Sequence, residues 1–413
     1  MASSSIDTGW SVAWSTRTPS LGSYLPEEYG RWSTGSGNRP AIIEGLGDHW
    51  KGDESLKVAV LGAGAGGTAT AFDHAQHGHD VALFDLPQFA ENLRAIAGQG
   101  GIHAEGALEG FASVANVGHD VGETLEGAGL IYVVGPAYST AVFGQCLAGK
   151  LTAGQTVVVS PGSSGGALAF KGAAGLAIDD TSIRVAETST LPYAVRLVAP
   201  GRVRVFLKLR GGMLLAALPS SGTSEILQLV ADVYPHLEAG TNVMQTSLQN
   251  ANPVIHPAVT LTNTARIDGS DDDFLFYEEG VSDATGRLIQ ALDEERIAIG
   301  VALGMSVVPD PAMGVRQGYM LDENYGSGYR TAPGFLGILA QPSLDHRYLN
   351  EDVGYGLVFW SRLAAQIGVD TPVIDAVILL ASRVMDRDYA GEALRTPELL
   401  GIGGRSAAEL AHL

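Results

Sequence analysis

Cysteine is almost missing from this chain: Cys146 is the only one in 413 residues. A single thiol excludes an intramolecular disulfide and a thiolate cluster, and it suits a reducing, cytoplasmic setting. Lysine is nearly as scarce. Lys51, Lys57, Lys150, Lys171 and Lys208 are the only five, and they form no patch. Twenty-five cationic residues face 45 acidic ones, for a formal charge of −20. A surface this acidic repels phosphate backbones and anionic headgroups, which argues against nucleic acid and membrane surfaces as partners. No apolar run is long and glycine-free enough to cross a bilayer. The first residues carry no basic segment followed by an apolar stretch, so neither a membrane helix nor a signal peptide is expected.

Glycine is abundant, at 54 residues, so a glycine motif counts only in the right context. With 46% hydrophobic and 17% charged residues the composition is globular, and the length suggests two or three domains. Residues 1–55 stand apart as an extension rich in Ser, Gly and Trp. It holds Trp10, Trp14, Trp32 and Trp50 of the five tryptophans. It is either a solvated tail or an arm packed on the body or across a homodimer, since exposed tryptophans are costly.

From Leu56 the pattern becomes regular. Apolar runs at 56–61, 80–84, 130–134 and 156–159 read as buried strands, with a small-residue helix expected from about Thr68 to His77. Further strand-like runs follow at 203–207 and 213–218, with a helix at 224–234. Strands alternating with helices imply βαβ units and a parallel sheet. Beyond about residue 249 the pattern is helical, with starts expected near Pro257, Ser282, Val353 and Pro372. The spacing of Val353, Leu357, Trp360, Ala364 and Ile367 buries one face of its helix. The fold class expected is therefore an α/β Rossmann domain over 56–248, followed by an all-α C-terminal domain over 249–413.

Gly62-Ala63-Gly64-Ala65-Gly66-Gly67 matches the dinucleotide fingerprint and follows a strand directly. Gly62 permits the tight turn, Gly64 lets the backbone approach a pyrophosphate, and Gly67 lets helix and strand pack closely. The helix N-terminus offers its free N–H groups to the anion. Asp85 lies 18 residues beyond Gly67, where an acid bonds the adenosine ribose. A carboxylate there repels a 2′-phosphate, and Leu86 and Pro87 supply no cation, so NAD is favoured over NADP. Gly135 and Pro136 follow the next inner strand and are expected on the nicotinamide side of the crevice.

In the second half, Pro253-Val254-Ile255-His256-Pro257 carries the strongest signal. Pro257 suits a first helical position, which would place His256 at or near an N-cap with its ring free to face a cleft. The dipole there disfavours imidazolium, and a carboxylate partner would restore proton affinity. Asp352 is a candidate partner. Spacing alone leaves it equally a first-turn acid of the following helix.

The segment Asn250 to Ala258, with His346-Arg347-Tyr348-Leu349-Asn350-Glu351-Asp352 and the following Val353 to Leu357, resembles the opine dehydrogenases. Thr188 to Ala194 and Phe276 to Gly280 resemble two further segments of that family. The likeness runs from about residue 56 to the end. It implies a Rossmann domain and a helical substrate domain with a cleft between them. The implied reaction is NADH-dependent reductive condensation of an amino acid with a 2-oxo acid, or its reverse. It further implies His256 as acid–base, Asp352 as its orienting carboxylate, and Arg347 as a substrate-carboxylate contact or closure residue. Two other functions remain at this point: an NAD-dependent hydroxy-acid or 2-oxo-acid reductase, and a non-catalytic NAD-binding sensor.

Other signals are weaker. His74, His77 and His79 cluster at a helix end with Gly78 as its cap, and no metal site is expected. Asp271 to Asp273 reads as a solvated loop. Ser160 to Gly166 lacks a hydrolase nucleophile motif and is expected to border the cofactor cleft.

Overall fold

The computed structural model describes residues 55–269 and 273–413. The expectations for the Trp-rich extension, and for Asp271 and Asp272, lie outside the described residues. Twelve strands appear among them. They are β1 (Lys57–Leu61), β2 (Asp80–Phe84), β3 (Gly101–Gly106), β4 (Gly110–Ser113), β5 (Asn116–Gly118) and β6 (Leu130–Val133), then β7 (Thr156–Val159), β8 (Arg184–Thr188), β9 (Tyr193–Ala199), β10 (Arg202–Lys208), β11 (Met213–Leu218) and β12 (Leu237–Ala239).

Eight of them form one sheet in the order β12-β11-β8-β7-β6-β1-β2-β5. Every pairing is parallel except β11 against β8. The chain leaves β1 toward β2 on one side and returns to β6 on the other. The carboxyl ends of β1 and β6 thus flank the switch point where doubly wound sheets bind ligands. β1, β6 and β7 are buried along nearly their whole length, as strands covered by helices on both faces must be. A second sheet, β4-β3-β10-β9, packs its inner residues Ile102, Val203 and Val205 with Phe72 of the Ala65–Gln76 helix.

After β12 the described chain is helical apart from an isolated bridge between Leu275 and Leu339. The core does not break at residue 248. Leu61, Val133 and Leu168 share one apolar cluster with Val254, Val353, Phe359 and Trp360. Val353, Leu357, Trp360 and Ala364 are all fully buried, as their spacing implied.

One helix start differs from the sequence reading. The helix expected to open at Pro257 spans Asn252–Thr262. Pro253, not Pro257, fills the opening position where a missing N–H costs nothing, and Pro257 is carried inside the helix. Asp352 is a first-turn acid, as its spacing allowed. It opens a π-helical turn, Asp352–Leu357, that runs on into the Val358–Ile367 helix. Such turns store irregular geometry at functional positions. No described helix is long and apolar enough to cross a membrane.

Candidate active site

The glycine turn sits at the carboxyl end of β1. Gly62 has φ +105°, and a Cβ on it would lie 2.0 Å from the Val134 carbonyl oxygen. A Cβ on Gly67 would lie 1.7 Å from the Gly62 carbonyl oxygen, so both are demanded by packing. Gly64 is different: its Cβ would meet nothing within 4 Å. The protein itself does not need glycine there, whereas a pyrophosphate approaching the backbone would. Gly64 caps the helix that begins at Ala65, and Gly66 packs beneath Leu191. The N–H of Ala63 donates to Asp85 Oδ2 at 2.7 Å, and that of Leu86 to Oδ1 at 2.7 Å. Asp85 is buried at the end of β2, and burial raises its carboxyl above the usual range. These residues fit a dinucleotide.

Gly135 and Pro136 follow β6, and Pro136 caps the helix Ala137–Leu147. The N–H of Ala137 donates to Glu351 Oε1 at 2.7 Å. That bond joins the loop beyond β6 to the chain segment carrying Arg347 and Asp352. A second tie comes from Arg395, 2% exposed. Its guanidinium donates to the carbonyls of Gly162, Ser163, Ser164 and Ala137 and to Thr140 Oγ1, all within 2.7–2.9 Å. The Ser160–Gly166 loop beyond β7 is thereby fixed to the C-terminal part of the chain.

His256 and Asp352 meet. Nδ1 lies 2.8 Å from Asp352 Oδ2, although 96 residues separate them. The approach depends on Gly356, where a Cβ would come within 2.4 Å of the Pro253 ring. Only a bare backbone lets the π turn lie this close to the Asn252–Thr262 helix. His256 Nε2 lies 3.1 Å from the Tyr277 hydroxyl. Asp352 accepts from Nδ1–H, so Nε2 accepts the phenolic proton. The ring does not face an open cleft as expected. It is 4% exposed, with Tyr348 stacked on it at 3.9 Å and 21°. Burial, then the Arg347 charge, holds the imidazole well below its ordinary pKa. Burial also pushes Asp352 up to about 7.

Arg347 lies one turn before Asp352, half exposed, with its guanidinium 5.7 Å over the Tyr348 ring. It stands 3.7 Å from Glu351 Oε2, beyond hydrogen-bond reach. Glycine turn, Asp85, Gly135-Pro136, Arg347 and the His256–Asp352 pair thus all fall at the carboxyl side of the sheet or on the segment tied to it. Sequence reasoning did not single out Tyr277, Tyr348, Glu351 or Arg395. The first three lay inside the quoted family segments, and Arg395 had no local signal. The three histidines of 74–79 occupy separate surroundings. His74 is buried against Tyr132 and Tyr234, His77 bonds the Asp73 carbonyl, and His79 pairs with Asp232. Among the described residues no group of three or more His, Cys, Asp or Glu is arranged to hold a metal.

Residues 239–385 match the family model described as NAD/NADP octopine/nopaline dehydrogenase, alpha-helical domain. The opine dehydrogenase of Arthrobacter sp. (strain 1C) is 36% identical over 369 residues, covering 86% of this chain and 98% of that protein. The structure of octopine dehydrogenase in complex with NADH and agmatine superposes with a TM-score of 0.72 at 19% identity, over 87% of this chain and 98% of that one. Yersinopine dehydrogenase with NADP+ bound superposes with a TM-score of 0.65 at 17% identity, over 84% and 95%. The relative and the family model define the class, an NAD(P)-dependent oxidoreductase acting on CH–NH bonds. Within that class, the chain belongs to the opine dehydrogenase family.

Proposed function

We propose that this enzyme joins an amino acid to a 2-oxo acid by NADH-dependent reductive condensation, or runs the reverse oxidation, with His256 as its acid–base group. The observation that carries this reading is the buried 2.8 Å contact between His256 Nδ1 and Asp352 Oδ2 in a chain of this family. Asp352 fixes the tautomer and supports the imidazolium, which leaves Nε2 to exchange protons. Nε2 reaches a substrate through the Tyr277 hydroxyl or once that hydroxyl is displaced.

The bound nicotinamide supplies or accepts a hydride. The residues proposed to hold the cofactor are Gly62 to Gly67, Asp85, Gly135 and Pro136, in a nucleotide-binding part reaching to about residue 248. Asp85 favours NAD(H), the form bound in the octopine dehydrogenase neighbour, while the yersinopine dehydrogenase neighbour binds NADP+. Arg347 takes a substrate carboxylate, the task a half-exposed guanidinium is shaped for.

The test is an NADH-oxidation screen of amino acids against pyruvate, glyoxylate and 2-oxoglutarate. Turnover that requires both partners supports the proposal. Oxidation with an oxo acid alone would assign an oxo-acid reductase instead.

A further inference from the structure

Glu351 is not explained by the roles given so far. Its side chain is 92% buried by the surrounding protein, from 8% exposure. Oε1 is satisfied by the Ala137 N–H at the start of an eleven-residue helix. Oε2 is buried and has no hydrogen-bond partner among the described residues. A carboxylate oxygen in that state costs free energy unless something else satisfies it. Capping the Ala137–Leu147 helix accounts for one oxygen only.

The neighbours say what the missing partner is. Arg347 and Glu351 are four residues apart and share one helical face, yet their charged atoms stay 3.7 Å apart. Among the described residues the Arg347 guanidinium donates no hydrogen bond of its own, and it is 45% exposed. A cation and a buried carboxylate oxygen, adjacent but not bonded, match the two ends of an α-amino acid zwitterion. The next residue along the chain, Asp352, is the one that holds His256.

We propose that Glu351 Oε2 receives the α-amino nitrogen of the amino-acid substrate while Arg347 takes its α-carboxylate, so that this pair selects an amine over other nucleophiles. The assignment rests on the reductive-condensation reading. The ammonium gives Oε2 the charge-assisted bond it lacks. A hydroxy acid or simple carboxylic acid offers Arg347 the same carboxylate but leaves Oε2 unpaired, which is a strong basis for rejection.

The test compares wild type with Glu351→Gln, which keeps an oxygen to accept from Ala137. Each is assayed with pyruvate and the amino acid most active in a panel of the twenty common ones plus norvaline. The inhibitor is the same carbon skeleton without its amino group. Glu351→Gln should raise the KM for the amino acid by about 10-fold or more while the inhibition constant of the deamino acid moves by less than about 2-fold. NADH affinity, read by fluorescence, should be retained. Equal changes for both ligands, or none for either, would overturn the assignment and leave Glu351 a purely structural tie. If wild type shows no amine-dependent turnover with any member of the panel, the condensation reading itself fails and this one falls with it.

Discussion

Desolvation pushes His256 and Asp352 toward uncharged forms from both sides, the imidazole downward and the carboxyl up to about 7. The 2.8 Å contact makes the two groups one titrating unit, the arrangement an acid–base group requires. His256→Ala should lower turnover by about 10²-fold or more, with little change in NADH affinity measured by titration. Near-normal turnover would end the proposed role. Asp352→Asn removes the charge that supports the imidazolium, so the histidine pKa falls further. In the oxidative direction His256 must be neutral, and the acidic limb of the kcat profile should move to lower pH. A limb that stays in place would separate Asp352 from the titration. At Asp85 the structure adds a cost to the expected cofactor switch. Asp85→Ser with Leu86→Arg should shift preference toward NADP(H), measured as the ratio of kcat/KM values. Because Asp85 also accepts from Ala63, total efficiency should fall at the same time. An unchanged ratio would mean that Asp85 does not face the ribose.

At the scale of elements, what could be read in the sequence followed burial. β1, β2, β6 and β7 are continuous apolar runs because both faces are covered, so their pattern is visible without any partner. β8 is equally buried but hides Glu187, whose carboxylate accepts from Thr246, Ser247 and Ala167. One satisfied buried acid was enough to conceal the strand. β3, β4 and β9 carry exposed residues and have no such run. The glycine turn and Asp85 were legible because their roles are local. The meeting of His256 with Asp352 was not, since it depends on Gly356 against Pro253 across 96 residues. Arg395 is the extreme case of a residue without local signal, bonding four carbonyls on two loops more than 230 residues away. Arg395→Met should leave those carbonyls unpaired in a buried site, at a cost of about 1–3 kcal/mol of stability for each one that finds no other donor. Thermal unfolding checks it, and NADH binding should weaken as the Ser160–Gly166 loop loses its anchor. A variant with unchanged Tm and NADH affinity would show that the loop holds itself.

Across the whole molecule, the charge of −20 sets a condition on catalysis that no single residue reveals. The cofactor and the proposed oxo acid are both anions, so the long-range field opposes their arrival. Close to the site the Arg347 cation works against that field. Distance decides which field acts. At about 0.01 M ionic strength the Debye length is about 30 Å, and the acidic surface is felt throughout the approach. At about 0.15 M it is about 8 Å, and only groups near the cleft still count. Raising salt across that range should therefore speed NADH association and increase kcat/KM for pyruvate, each by roughly 2-fold or more. Stopped-flow fluorescence and initial rates at constant pH measure the two effects separately. If both fall with salt instead, the field around the cleft is attractive on balance, and cations beside Arg347 outweigh the acidic surface. One candidate is Arg196 on β9, whose charge acts on His346 and Tyr348.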